Sequence, residues 1–220
     1  MSPRPFERPA TIRLPDAPGL ESGACLDGLW LPARGEEGAL GGAVVAPPHP
    51  LMGGSMDSPV ATEIALAASD SGRIALRFDW RGVGGSAGAP SGDAHDADTD
   101  YRAALAFMEE SVDGPIVACG YSWGAVAAAR VARTARRVRA LVLVAPPAAM
   151  LDAETLGSFD HPLLVVAGDR DEYVPLESLR ARLDPLPRAE IRVLEGVDHF
   201  FVSGLGELGR RLRSWLRDGV

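Results

Sequence analysis

The sequence predicts an α/β protein, a mostly parallel central sheet with helices on both faces and antiparallel strands at its N-terminal edge. From about residue 41, short apolar runs alternate with longer helix-like segments, the pattern left by successive strand–helix–strand units. The runs are apolar at every position rather than at every second one, as strands covered on both faces should be. A length of 220 residues suits one domain, 1–220, with a substantial core. With 46% hydrophobic and 24% charged residues, the chain has the balance of a folded protein rather than a disordered one.

Taken in order, residues 10–32 read as an antiparallel pair at a sheet edge. The apolar runs that follow are residues 43–46, 74–78, 116–119, 141–145, 163–167 and 191–194. Helices are expected near 58–70, 97–111, 123–135, 176–184 and 205–217. Tyr101, Leu105 and Met108 with Ala104 form one helical stripe, and Leu205, Leu208, Leu212, Trp215 and Leu216 form another. This second stripe either packs on the sheet or offers a face for a homodimer.

A formal net charge of −8 argues against a nucleic-acid partner, because such binding draws on clustered cations that neutralise phosphates. Every basic side chain is Arg, which excludes a Schiff-base lysine. Cys25 and Cys119 lack the close spacing of a zinc site or redox pair. Residues 1–10 hold three prolines and two arginines without the apolar run of a signal peptide. No later stretch nears about 18 apolar residues, so a cytoplasmic protein with no membrane partner is expected.

The strongest local signal is Gly120-Tyr121-Ser122-Trp123-Gly124, which directly follows one apolar run and opens a helix-like stretch. G-x-S-x-G at a strand-to-helix turn is the nucleophile elbow, in which the turn strains the serine and the glycines let neighbouring backbone pass. A serine hydroxyl is a poor nucleophile near neutral pH, so it needs a base in contact and a third group to orient that base. After an elbow, the acid and then the histidine are expected downstream. The strand-like run 163–167 leads into Gly168-Asp169-Arg170-Asp171-Glu172-Tyr173-Val174-Pro175, and His199 is the one histidine beyond it. The N–H of Trp123, next to the serine, is the expected first donor to an oxyanion.

On these residues the chain, from about residue 10 onward, resembles the α/β-hydrolases, and most closely the small bacterial hydrolases with a His-Pro-x-x-Gly-Gly loop. That resemblance implies a serine hydrolase of carboxylesterase type. Its acid is the Asp of Gly-x-x-Asp-x-x-Val-Pro, which falls on Asp171, with Asp169 and Glu172 as the other carboxylates in reach. The resemblance also implies that His49-Pro50-Leu51-Met52-Gly53-Gly54 completes the oxyanion hole. Pro50 has no N–H, so the second donor is Leu51 or Met52.

Two other patterns point elsewhere and are weaker. Gly82-Val83-Gly84-Gly85-Ser86-Ala87 matches a dinucleotide fingerprint, but Gly88, Pro90 and Gly92 continue a loop where that fingerprint needs a helix. It matches instead the Asp-x-Arg-Gly-x-Gly turn of α/β-hydrolases, starting at Asp79. Asp93, Asp96, Asp98 and Asp100 with His95 place Tyr101 and Phe107 where a calcium loop needs Gly and Glu. These acids are expected to open a helix and complement its dipole. No metal or organic cofactor is required.

Between Pro147 and His161 there is room for one small helix, so no substantial lid is expected and a short acyl ester suits the site better than a long lipid. Met52, Met56, Tyr121, Trp123, Phe159 and Phe200 are the candidates for an apolar acyl pocket, with core packing as their alternative use. The same machinery also serves acyltransferases and peptidases, and some proteins of this fold bind without turnover.

Overall fold

The computed structural model describes residues 7–16, 20–35 and 38–218. Most of the first ten residues, read above for a leader, therefore lie outside the described residues. Strands β1 (Arg8–Arg13) and β2 (Cys25–Leu31) form the expected antiparallel edge pair. They are followed by β3 (Gly42–Ala46), β4 (Ile74–Phe78), β5 (Ile116–Tyr121), β6 (Val138–Val144), β7 (Leu163–Gly168) and β8 (Ala189–Leu194). All eight belong to one sheet in the order β1-β2-β4-β3-β5-β6-β7-β8, parallel from β4 to β8. Strands β3, β5 and β7 are buried at every residue, which explains their unbroken apolar sequence.

The helices are α1 (Pro59–Asp70), α2 (Ala94–Ser111), α3 (Trp123–Ala132), α4 (Ala153–Gly157), α5 (Leu176–Leu183) and α6 (Leu205–Asp218). From β3 the chain steps through α1 to β4 in one direction, and from β5 through α3 to β6 in the other. Right-handed crossovers then put α1 and α3 on opposite faces. Helix α1 packs with α6, and α2 packs with α3. The reversal leaves a crevice outside the carboxyl ends of β3 and β5, where ligands gather in open sheets of this kind.

Four of the five residues in the apolar stripe of α6 face the inside of the chain. Leu208, Leu212, Trp215 and Leu216 are buried as the helix packs on α1 and reaches β8, while Leu205 is half-buried at the cavity wall. The segment between β6 and β7 holds only a short 3-10 turn at Ala148–Met150 and the five-residue α4. No helix among the described residues is long and apolar enough to cross a membrane.

The glycine-rich turn after β4 runs on without a helix until Ala94. Asp93 caps α2, its carboxylate accepting from the N–H groups of His95 and Asp96. The other acids of this cluster pair with arginines instead of gathering round an ion. Arg81 donates from its backbone N–H to Asp100 at 2.9 Å and from Nη2 at 2.7 Å, and its other Nη meets Asp96. Asp98 holds Arg130. Burial pushes the Asp100 carboxyl up, and its bonds to Arg81 oppose that shift. Breaking a buried pair strands the remaining charge. Asp100→Ala is expected to lower stability by about 3–5 kcal/mol in urea unfolding; a loss below about 1 kcal/mol would show that Arg81 finds other partners or water.

Candidate active site

Strand β5 carries Ser122 to its carboxyl end and turns it into α3. Ser122 has φ 54° and ψ −120°, a left-handed backbone that L-residues rarely adopt. The conformation is held by the bond from its N–H to the Val144 carbonyl at 2.8 Å and by the close passage of the two glycines. A Cβ on Gly120 would lie 2.3 Å from the Gly124 carbonyl oxygen, and one on Gly124 would lie 2.3 Å from that of Pro47. These contacts, far inside van der Waals distance, are the reason the motif needs glycine at both places. The second one also seats the start of α3 against the loop that leaves β3.

His199 comes from the turn after β8, and its Nε2 lies 3.0 Å from Ser122 Oγ. Its Nδ1 lies 2.7 Å from Oδ2 of Asp171, whose side chain is fully buried. A carboxylate only accepts, so Nδ1 carries the proton and Nε2 turns its lone pair to the serine. The other Asp171 oxygen accepts from the N–H groups of Tyr173 at 2.9 Å and Val174 at 3.0 Å. Of the three carboxylates in this loop, Asp171 is the one that meets His199. Asp169 is occupied by the N–H of Gly196 at 2.6 Å, and Glu172 is exposed.

Two features missed at the sequence level fasten the histidine. Gly168, at the end of β7, passes so near the next loop that a Cβ there would lie 2.0 Å from the Val197 carbonyl oxygen. The Tyr121 hydroxyl donates to the His199 carbonyl at 2.9 Å. Burial, with the carboxylates of Asp171 and Asp198 nearby, raises the Tyr121 phenol well above the usual tyrosine range, so it remains a donor. Its position inside G-x-S-x-G was the available signal, yet spacing alone names no partner 78 residues away.

Across the crevice, Pro50–Met52 forms a 3-10 turn. The Leu51 N–H donates to His49 Nδ1 at 3.2 Å, and the His49 carbonyl accepts from both Met52 and Gly54 at 3.0 Å. Neither Leu51 nor Met52 therefore presents a spare N–H, because the turn and its capping ring use both. The Trp123 N–H has no acceptor among the described residues. Burial lowers the His49 pKa, which favours the neutral ring whose Nδ1 accepts. That ring lies 4.8 Å from the Trp123 ring, which in turn lies 5.1 Å from Trp80. Trp80 Nε1 donates to the carbonyls of Pro47 and Pro48, and the buried Asp79 accepts from the Met56 N–H at 2.6 Å. The turn that imitated a nucleotide motif is thus a brace for the 47–56 loop.

Ser122 and His199 open into a cavity of about 860 Å³. Met52, Tyr121, Trp123 and Phe200 line it, as do Met150, Tyr173 and Val202, which were not expected. Met56 and Phe159 do not. Met56 is tied by its N–H to Asp79 and by its carbonyl to Arg77. Phe159 is buried ahead of β7, at the amino end of the strand and so away from the site. No Asp, Glu or Arg stands among the described lining residues.

Known proteins share this arrangement of strands and turns. The family model for the α/β hydrolase fold matches residues 50–157. A structure of an α/β serine hydrolase homologue from Coxiella burnetii is 31% identical, covers 94% of this chain and 96% of its own, and has a TM-score of 0.81. A serine hydrolase without a lid from Xanthomonas campestris is 28% identical over 98% of this chain and 95% of its own, again with a TM-score of 0.81. A curated relative from Rickettsia prowazekii, itself uncharacterized, is 25% identical and covers 79% of this chain and 77% of its own length.

Gly124→Ala tests the seating of the elbow. It is expected to destabilise by about 1–3 kcal/mol in urea unfolding, as overpacking does, and unchanged stability would contradict the close approach to Pro47.

Proposed function

The chain belongs to the α/β-hydrolase family, and on that premise we propose that it is a serine hydrolase that cleaves an uncharged carboxylic ester. Ser122 is the nucleophile, His199 the general base and acid, and Asp171 the group that orients and charges against the histidine. The observation that carries the reading is the unbroken line of contacts from Ser122 Oγ to His199 Nε2 at 3.0 Å and from His199 Nδ1 to Asp171 at 2.7 Å, at the edge of an apolar cavity.

In this mechanism His199 Nε2 takes the hydroxyl proton as Ser122 Oγ attacks the ester carbonyl. The tetrahedral intermediate then expels the alcohol, which receives that proton from Nε2, and leaves an acyl-serine. A water molecule, deprotonated by His199, attacks the acyl carbon, and the second collapse returns the proton to Ser122 and frees the acid. Asp171 remains ionised throughout and stabilises the imidazolium.

The oxyanion forms next to the Trp123 N–H, the first donor. Leu51 is the better second donor of the two considered. Its bond to a neutral ring nitrogen at 3.2 Å yields to a charged oxygen, whereas freeing Met52 would unwind the 3-10 turn. The absence of charged side chains from the described lining supports an ester with no ionised group near the carbonyl. With only α4 and a 3-10 turn between β6 and β7, the open mouth also admits acceptors besides water, so the same machinery suits acyl transfer. Product analysis with an added alcohol separates the two outcomes.

Hydrolysis of p-nitrophenyl esters from acetate to decanoate, wild type beside Ser122→Ala, tests the reading. The variant is expected to lose roughly 10⁴- to 10⁶-fold in rate, and equal activity would remove Ser122 from the mechanism. Asp171→Asn is expected to remain folded by thermal unfolding and to lose about 10⁴-fold in kcat. Full activity there would pass the role of acid to Asp169 or Glu172.

A further inference from the structure

We propose that Tyr173 and Phe200 form the subsite for the leaving alcohol and that they select an aromatic one. The inference rests on the serine-hydrolase reading and extends it to a part of the substrate that the triad leaves undefined.

The chemistry fixes which half of the cavity serves the alcohol. To hand over its proton, His199 Nε2 must reach the leaving oxygen, so the atoms bonded to that oxygen lie against whatever flanks the imidazole. The oxyanion side, with Trp123, His49 and the 3-10 turn, takes the opposite part of the substrate.

Besides Tyr121, which is buried 5.6 Å from the imidazole and tied to the His199 carbonyl, two exposed rings flank it at the cavity edge. Tyr173 lies 4.9 Å from the His199 ring, and Phe200 lies 5.6 Å from it, turned by 88°. Tyr173 and Phe200 are 6.2 Å apart at 79°, which makes an aromatic corner. Both line the cavity and both are 60% exposed.

Their chain neighbours show that the fold does not require these rings. Val174 and Phe201 are each 0% exposed and supply the packing of the two loops, leaving Tyr173 and Phe200 turned outward. Val202, 80% exposed, extends the same edge. Scattered surface apolars need no explanation, but here three meet at the one place where a leaving group must pass. A planar ring in a right-angled corner can meet one wall face to face and the other edge to face. An aliphatic ring of equal size gains only its buried area. Each such aromatic contact is worth a factor of about two to ten in relative binding. Phe200, expected on the acyl side, belongs by this geometry to the alcohol side.

The test compares benzyl butyrate with cyclohexylmethyl butyrate, which share the acyl group and carbon skeleton, by acid release at constant pH. The ratio of kcat/KM values is divided by the ratio of their alkaline hydrolysis rates to remove intrinsic reactivity. Wild type is expected to favour the benzyl ester about fivefold or more, and Tyr173→Leu and Phe200→Leu each to bring the ratio toward one. A corrected wild-type ratio near one overturns the inference, as does a ratio that both variants leave unchanged. Failure to turn over either ester also overturns it. Labelling of Ser122 by a fluorophosphonate in the same sample then decides whether the serine-hydrolase reading stands without it.

Discussion

Everything in the site depends on how closely the carboxyl ends of β3 and β5 approach. Ser122 turns sharply between strand and helix, and the first turn of α3 lies directly under the Pro47 carbonyl with no room for a methyl group at Gly124. That contact places the Trp123 N–H and the 47–56 loop on one side of the serine. The reversal of crossover direction between β3 and β5 puts the crevice there, and the pairing of β5 with β6 supplies the Val144 carbonyl that holds the Ser122 backbone. The strain in the serine is thus balanced by ordinary backbone bonds and packing around it.

The acids of this chain show how environment assigns a role to a residue type. Asp171 has one oxygen fixed by two backbone N–H groups and the other aimed at an imidazole. Asp169, two residues earlier, closes a turn. Asp100 anchors Arg81, and Asp79 holds the Met56 N–H. Asp171, Asp100 and Asp79 satisfy the requirement that a buried carboxylate be hydrogen-bonded, while Asp169 is exposed. Of these four, Asp171 is the one set against a histidine that also touches a serine.

The strands of an α/β protein were readable because fully buried strands leave unbroken apolar runs, and the lack of a lid was readable from the short 147–161 segment. Element ends were less so: β5 runs on to Tyr121 because Gly120 still pairs with Ala46 and Leu143, which its composition does not announce. Ser122, Asp171 and His199 could be picked out because strand-end chemistry leaves compact local patterns. The Tyr121 bond to His199, the Trp80 brace and the aromatic corner were not legible, since each joins residues far apart in the chain. Met56 and Phe159 were misplaced because an apolar residue near a strand end looks the same whether it faces a cavity or the core. Only the direction in which the loop turns separates the two.

The uncharged lining of the cavity bears on what happens after bond cleavage. In the proposed reaction a neutral ester enters and an anionic carboxylate is left behind. Nothing positive among the described lining residues detains that anion, and a chain of net charge −8 repels it. The surface that suits a neutral ester therefore offers the acid product no ion pair, and only backbone N–H groups such as that of Trp123 remain to hold it.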